Sequence, residues 1–282
     1  MLELHCHTTC SDGTLTPTQL VWKAHEAGVR ALAITDHDTL QGWDEALAAA
    51  ANLPIEIVPG LELSTVYNDR SMHILGFYPD RQKLQAPLAE RLDGRKRRAQ
   101  MMLEKLAELG YPITLPERGE GMAPGRPHIA SALVRAGYVA SSEEAFDRFL
   151  GSDKPAYVEY EKFSAIEGIQ LLRSCGGVPV WAHPHLFRGG TVDTVLPVLV
   201  EAGLMGIEVY HPSHSPSDVR RLEEKCADYG LLKTGGSDYH GPSPASGKDN
   251  HGTLNSERVP LSLLAPLKQA AQSLASGTGI KH

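Results

Sequence analysis

The sequence predicts an α/β fold, a parallel barrel of seven strands with a helical insertion after the fourth. Three observations carry this expectation. Short apolar runs alternate with helical patterns along the chain, which is the signature of a parallel sheet. One connection, from Tyr78 to Val178, is too long for a simple crossover. Acidic and imidazole side chains recur at the downstream ends of the apolar runs, where a parallel barrel gathers its functional groups on one face.

The strand-like runs are Leu2–His7, Ala31–Asp36, Ile55–Leu63, Met72–Tyr78, Val178–His183, Gly206–His211 and Leu231–Asp238. They are rich in Val, Ile and Leu, as strands covered on both faces should be. The first helix is expected over Pro17–Ala27, with Thr16 as N-cap, proline in the first turn and Gly28 as the stop. Further helices are read at Asp44–Ala51, Ala165–Cys175, Asp193–Ala202 and Ser217–Tyr229. Within the long connection, Leu88, Leu92, Met102, Leu103, Leu106 and Leu109 recur at helical spacing, and the run Arg95–Arg98 reads as a solvated helix face. His128–Ala136 and Glu143–Leu150 follow as helices. Residues 80–160 are thus expected to be a helical insertion covering the barrel mouth, with 1–79 and 161–282 forming the barrel. The tail Ser273–His282 reads as loosely held.

At 282 residues and 41% apolar content, the chain can bury a large core. No apolar stretch is long enough to span a bilayer, so no membrane partner is expected. No basic segment followed by an apolar core opens the chain, and cytoplasmic residence is the expectation. The cysteines Cys6, Cys10, Cys175 and Cys226 form no CxxC pair. Cys6 reads as a small buried hydrophobe. A formal charge of -7 argues against duplex DNA as a partner. Bound cations would reverse the potential locally and draw in an anion, which suits a small phosphorylated substrate or a short single strand.

The candidate ligands are His5, His7, Asp12, His37, Glu62, His73, His183, Asp238 and His240. His5 and His7 are two apart on a strand and share a face. Taken singly, each histidine is more often structural or exposed than a ligand. Together they account for six of 13 histidines in the order a barrel requires. A core would not gather so many polar groups without a compensating cation. Asp36 and Asp38 flank His37 and are candidates to orient ligands; Asp38 reads equally well as a helix N-cap. His211, Ser213 and His214 follow the sixth strand on the same face. His211 is read as a proton donor to the leaving group or as a substrate contact, and His185 has no settled role.

These motifs resemble the PHP (polymerase and histidinol phosphatase) family within the amidohydrolase-like barrels. The resemblance rests on His5-x-His7 with Asp12, Thr35-Asp36-His37, His73 and Asp238-x-His240, with Glu62 and His183 matching the remaining ligands. The segment Gly125-Arg126-Pro127-His128 resembles a branch of nucleoside 3',5'-bisphosphate phosphatases and 5'-3' exonucleases of short oligonucleotides. The resemblance implies a distorted (β/α)7 TIM-like barrel and three divalent ions. His5, His7, Glu62 and Asp238 would hold one ion, Asp12, His37 and His240 a second, and Glu62, His73 and His183 a third. Manganese is preferred, with iron and zinc as alternatives.

The activity implied is hydrolysis of the 3'-phosphate of adenosine 3',5'-bisphosphate, giving AMP and phosphate, with a metal-bound hydroxide attacking phosphorus. Asp12, His37, His211 and His240 are the catalytic candidates; Arg126, His128, Ser213 and His214 are the substrate-binding candidates. Arg126 and His128 would grip the 5'-phosphate. Lys154, Tyr157 and Lys162 are further candidate phosphate contacts, and Tyr160 and Phe163 candidate base-stacking residues read more readily as core. Alternatives are a 5'-3' exonuclease on short RNA or DNA, a histidinol-phosphate phosphatase and, outside enzymes, a polymerase accessory module.

Overall fold

The structure, a computed structural model, describes residues 1–115, 123–159, 163–242 and 252–276. The chain divides into two compact units, Met1–Gln85 with Phe163–His282, and Ala86–Lys162.

The first unit holds a seven-stranded sheet in sequence order. Its strands are β1 (Leu2–Glu3), β2 (Ala31–Ile34), β3 (Glu56–Tyr67), β4 (Arg70–Phe77), β5 (Val178–Trp181), β6 (Gly206–Tyr210) and β7 (Leu232–Gly235). The ends meet through the Leu4 N–H donating to the Gly235 carbonyl at 3.1 Å, and through a parallel bridge between Cys6 and Tyr239. The result is a nearly closed, distorted TIM-like barrel.

Helices α1 (Pro17–Glu26) and α2 (Gly42–Ala50) follow β1 and β2. The sequence reading of α1 rests on its caps, and both are present. Thr16 accepts from the Gln19 N–H, and Gly28 takes a φ of 80° that ends the helix. Trp43 on α2 donates its indole N–H to the Gly60 carbonyl at 2.7 Å and so docks the helix on β3.

The sheet departs from the all-parallel expectation at one place. β3 and β4 form an antiparallel hairpin, and β4 also runs antiparallel to β5. The hairpin turn is Asn68-Asp69, with φ of 50° and 55°. Two positive φ values in a two-residue turn match the right-handed strand twist. In consequence His73 lies near the start of its strand, opposite Ser64, rather than at a downstream end. Antiparallel pairing brings that start to the same side as the end of β2.

Helix α3 (Arg81–Glu108) begins in the first unit and continues into the second. The second unit adds α4 (Arg126–Arg135) and α5 (Ser142–Ala145), the latter running on as a π-helical turn through Phe146–Leu150. Its core joins Met102, Leu106, Ile129, Leu133, Phe149 and Leu150. The basic run on α3 is not uniformly solvated. Lys96 and Arg97 are exposed, whereas Arg95 and Arg98 are half-buried. The Arg98 Nε–H donates to the Val158 carbonyl at 2.7 Å, and its guanidinium lies 5.5 Å from the centre of the Tyr157 ring. A long arginine stem buries apolar surface while its head bonds the backbone.

The chain returns to the barrel unit through α6 (Ala165–Ser174), α7 (Val192–Glu201), α8 (Pro216–Tyr229) and a further helix, α9 (Leu264–Ala275). Helix α9 corrects the expectation of a loose tail over its first part, since Ser273–Ala275 are helical; residues 277–282 lie outside the described set. It places Leu264, Leu267, Ala270 and Ala271 in one apolar cluster with Leu2, Ala31, Ala33, Val58, Leu75, Phe77, Val178 and Val180. On β2 and β4 these cluster positions alternate and the same parity leads to His37 and His73, while Val58 on β3 shares its parity with Glu62. One face of each strand is therefore apolar at one end and polar at the other. No helix among the described residues is long and apolar enough to cross a membrane.

Candidate metal centre

The barrel unit brings all nine candidate ligands into one constellation around Glu62. Glu62 shares the parity of Val58 on β3 and is 1% exposed. Five imidazoles surround its two oxygens. His73 Nδ1 and His183 Nε2 lie 2.8 and 3.1 Å from Oε1; His7 Nε2, His37 Nδ1 and His5 Nε2 lie 3.2, 3.2 and 3.3 Å from Oε2. Asp238 Oδ1 stands 3.2 Å from His7 Nε2 and 3.3 Å from His5 Nε2. Asp12 faces His240 Nε2 at 3.4 Å, His7 Nδ1 at 3.5 Å and His37 Nε2 at 3.7 Å.

The donor set fits divalent cations on two grounds. His5 Nε2, His7 Nε2, Asp12 Oδ1, His37 Nδ1 and His73 Nδ1 are buried without a hydrogen-bond partner. Such atoms carry a large desolvation cost unless something coordinates them. Their spacing is also right. Ligands about 2.0–2.2 Å from one tetrahedral ion stand roughly 3.3–3.6 Å apart, close to the distances above. Donor atoms within 4.8 Å of one another occur in four overlapping groups: His7, Asp12, His37 and His240; His5, His7 and Asp238; His5, Glu62 and His183; and His37, Glu62 and His73.

The charges are mutually dependent. Burial alone would raise Glu62, but His73, His37 and His5 hold it well below the ordinary carboxylate range. Burial works against Asp12 and Asp238 in the same way, and neighbouring imidazoles pull both well below that range. Burial lowers His7 too, yet Asp238 and Glu62 raise it to about 10. At His37 burial wins and pushes the ring down to about 3.

Surrounding groups aim the candidate ligands. Asp36 accepts from the Thr8 N–H and hydroxyl, both at 2.7 Å, and from the Ser11 hydroxyl. That carboxylate holds the loop carrying Asp12. Asp38 is not a helix N-cap, because α2 begins four residues later; with φ of 53° it accepts from the Ser64 N–H at 3.0 Å. The His240 Nδ1–H donates to the Asp238 carbonyl at 2.7 Å, which directs Nε2 toward Asp12.

His211 lies beside this group, its Nε2 buried and 3.7 Å from Asp238 Oδ2. The Ser213 N–H donates to His211 Nδ1 at 3.1 Å, and the Ser213 hydroxyl is 2.8 Å from the same atom. Nδ1 is thus an acceptor, and the neutral ring carries its proton on Nε2. His214 donates from Nδ1 to the Val209 carbonyl at 2.9 Å, and its ring packs against His185 and His211.

Arg126, His128, Lys154 and Tyr157 belong to the second unit. His128 Nδ1 accepts from the Gly125 N–H at 2.9 Å, and the Arg126 guanidinium sits 5.6 and 5.7 Å from the Phe146 and Tyr157 rings. Lys154 lies there too, on the surface. Phe163 is half-buried in the first unit; Tyr160 and Lys162 lie outside the described residues.

Sequence reasoning missed Glu208. It is 1% exposed on β6, its Oε1 is 2.9 Å from His5 Nδ1, and its Oε2 accepts from the His183 N–H at 2.8 Å. The available signal was a carboxylate in the middle of the apolar run Gly206–Tyr210, a placement that needs a partner. Glu3 was missed for the same reason. It is buried, accepts from the N–H groups of Ser237 and Asn255 at 2.6 and 2.8 Å, and is raised by burial to about 7.

Comparison with known proteins agrees with this geometry. The PHP domain model matches residues 3–169. A 5'-3' exoribonuclease of Haemophilus influenzae is 34% identical over 85% of this chain and 90% of its own length. A 3',5'-nucleoside bisphosphate phosphatase of Chromobacterium violaceum is 33% identical over 86% of this chain and 87% of its own. Among solved structures, a Bifidobacterium adolescentis chain assigned as a metal-dependent phosphoesterase superposes with a TM-score of 0.85 at 34% identity, covering 95% of this chain and 96% of that one.

Proposed function

The chain belongs to the PHP domain family and is a metal-dependent phosphoesterase, and from that premise we propose that it removes the 3'-phosphate of nucleoside 3',5'-bisphosphates, adenosine 3',5'-bisphosphate giving AMP and phosphate. The observation that carries this reading is the ring of five imidazoles within 3.3 Å of the Glu62 oxygens. In it three divalent ions, manganese by preference, would be held by His5, His7, Glu62 and Asp238, by Asp12, His37 and His240, and by Glu62, His73 and His183. Cations bound there supply the positive charge that neutralises a phosphate dianion and lowers the pKa of water.

The chain's own residues do the rest. Glu62 and Asp238 fix the distances between imidazoles, and Asp36 holds the Asp12 loop. His211 keeps a proton at Nε2 and delivers it to the departing oxygen. Arg126 and His128 grip the 5'-phosphate, a planar guanidinium being suited to bidentate phosphate contact. Free thiols at all four cysteines accord with a reducing compartment, and we place the enzyme in the cytoplasm.

A second reading, 5'-3' exonuclease action on short RNA or DNA, is favoured by the relative of that name. It uses the same 5'-phosphate grip on a phosphodiester. The test is incubation with Mn2+ and either adenosine 3',5'-bisphosphate or 5'-phosphorylated pentanucleotides. Inorganic phosphate from the first substrate with the second untouched supports the bisphosphatase. Stepwise release of mononucleotides with no phosphate from the bisphosphate rejects it. Arg126→Ala should raise KM with kcat little changed; unchanged specificity constants would remove Arg126 from the site.

A further inference from the structure

One carboxylate outside the nine-residue constellation touches two of its members. Glu208 lies on β6, and its two oxygens divide their work. Oε1 takes the Nδ1–H of His5, and Oε2 takes the backbone N–H of His183. These partners come from opposite parts of the sequence, the end of β1 and the end of β5. The second bond secures an uncommon backbone, because His183 has φ of 29° and ψ of 60°, a region costly for a residue with a Cβ. The first bond has a chemical effect. A carboxylate acceptor fixes the proton on Nδ1, so that Nε2, 3.3 Å from both Glu62 Oε2 and Asp238 Oδ1, is the nitrogen left to face an ion. The two rings are stacked, with centroids 5.7 Å apart and planes 19° apart.

We infer that Glu208 is a positioning residue: it sets the tautomer of His5 and the backbone turn of His183 together, so that two neighbouring ligands share one anchor. The inference rests on the ligand roles proposed above. A carboxylate bonded to the far nitrogen of a ligating imidazole raises its basicity and holds its plane, and loss of such a partner typically costs about 10–100-fold in metal affinity.

The test is Mn2+ titration of the wild type, Glu208→Gln and Glu208→Asp, reading bound ions per chain and the dissociation constant of each, with thermal unfolding of the metal-free proteins alongside. Glutamine can accept from one partner only, so Glu208→Gln should weaken the ion at His5 by about 10–100-fold. A purely structural glutamate would lower the unfolding midpoint and leave the dissociation constants of the folded protein unchanged, and that outcome overturns the inference. If both variants fail to fold, the wild type decides. In the zinc-loaded protein, long-range 1H–15N spectra should show His5 protonated at Nδ1; a proton on Nε2 overturns the inference equally. A wild type that binds no ions removes the ligand reading itself, whereas a wild type and variants that bind alike remove only the role of Glu208.

Discussion

Gly236 and His5 approach so closely that a Cβ on Gly236 would stand 2.5 Å from the His5 amide nitrogen and 2.7 Å from the His5 Cβ. The neighbour is backbone of β1's extension, which cannot swing aside. The glycine also precedes Ser237 and Asp238, so it sets the depth at which the β7 end lies against the first ligands.

Gly236→Ala is therefore expected to part His5 from Asp238. Overpacking of this kind costs about 1–3 kcal/mol, and here it should also reduce the number of Mn2+ ions retained after desalting. Urea unfolding and metal analysis of the same sample check both. Wild-type stability together with full metal content would show that the contact relaxes freely.

Leu267→Ala probes the opposite end of the barrel. Leu267 is 1% exposed and belongs to the cluster that joins α9 to the strands. Deleting a buried leucine side chain costs about 2–5 kcal/mol. The candidate ligands lie at the other end of the same strand faces, so metal per folded chain should stay unchanged. A loss of stability without loss of metal is the expected pair of measurements.

Cation binding should be strongly pH-dependent. Without an ion, burial disfavours a charge on His7, but Asp238 and Glu62 raise it to about 10, and Glu208 and Asp238 raise His5 in the same way. Both rings then carry an extra proton at neutral pH, which an incoming cation must displace. Affinity should rise with pH, by roughly ten- to hundredfold per unit near neutrality, as one or two protons leave. Calorimetry in two buffers of different ionisation enthalpy counts those protons; zero release would contradict this charge assignment. His37, pushed by burial to about 3, adds nothing to the count.

The constellation of candidate ligands was legible in the sequence because polar residues at the ends of apolar runs are costly and therefore conspicuous, as at His37 and His183. The hairpin was not, because β3 and β4 extend past their apolar runs through Ser64–Tyr67 and Arg70–Ser71, where the sequence looks like loop. The signal lay in Asn68-Asp69, two residues tolerant of positive φ. Helix α9 was hidden by its short apolar side chains, Ala270 and Ala271 among them. Asp38 read as a cap because its type suits one; its positive φ and its bond to Ser64 depend on tertiary pairing. Glu208 and Glu3 sat inside apolar runs, and their partners are more than 200 residues away in sequence at His5 and at Ser237.

His214 makes a prediction about folding rather than metal. It is 9% exposed, and its Nδ1–H is committed to the Val209 carbonyl. Burial pushes its pKa down to about 4; the Val209 bond opposes that shift, and His211 beside it adds to it, with Glu208 and His185 as weaker neighbours of opposite sign. An unfolded histidine titrates near pH 6.5. Between those values the unfolded chain takes a proton that the folded protein refuses. The contribution to stability is thus complete above about pH 6.5 and falls away as pH drops toward 4, amounting to about 2 kcal/mol by pH 5. Other groups titrate in the same window, so the comparison must be with His214→Asn, which keeps an N–H donor and has no charge to gain. The difference in unfolding free energy between wild type and variant should narrow, or reverse, by about 2 kcal/mol from pH 7 to pH 5. A difference that stays constant over that range would mean His214 accepts its proton in the folded state as readily as in the unfolded one.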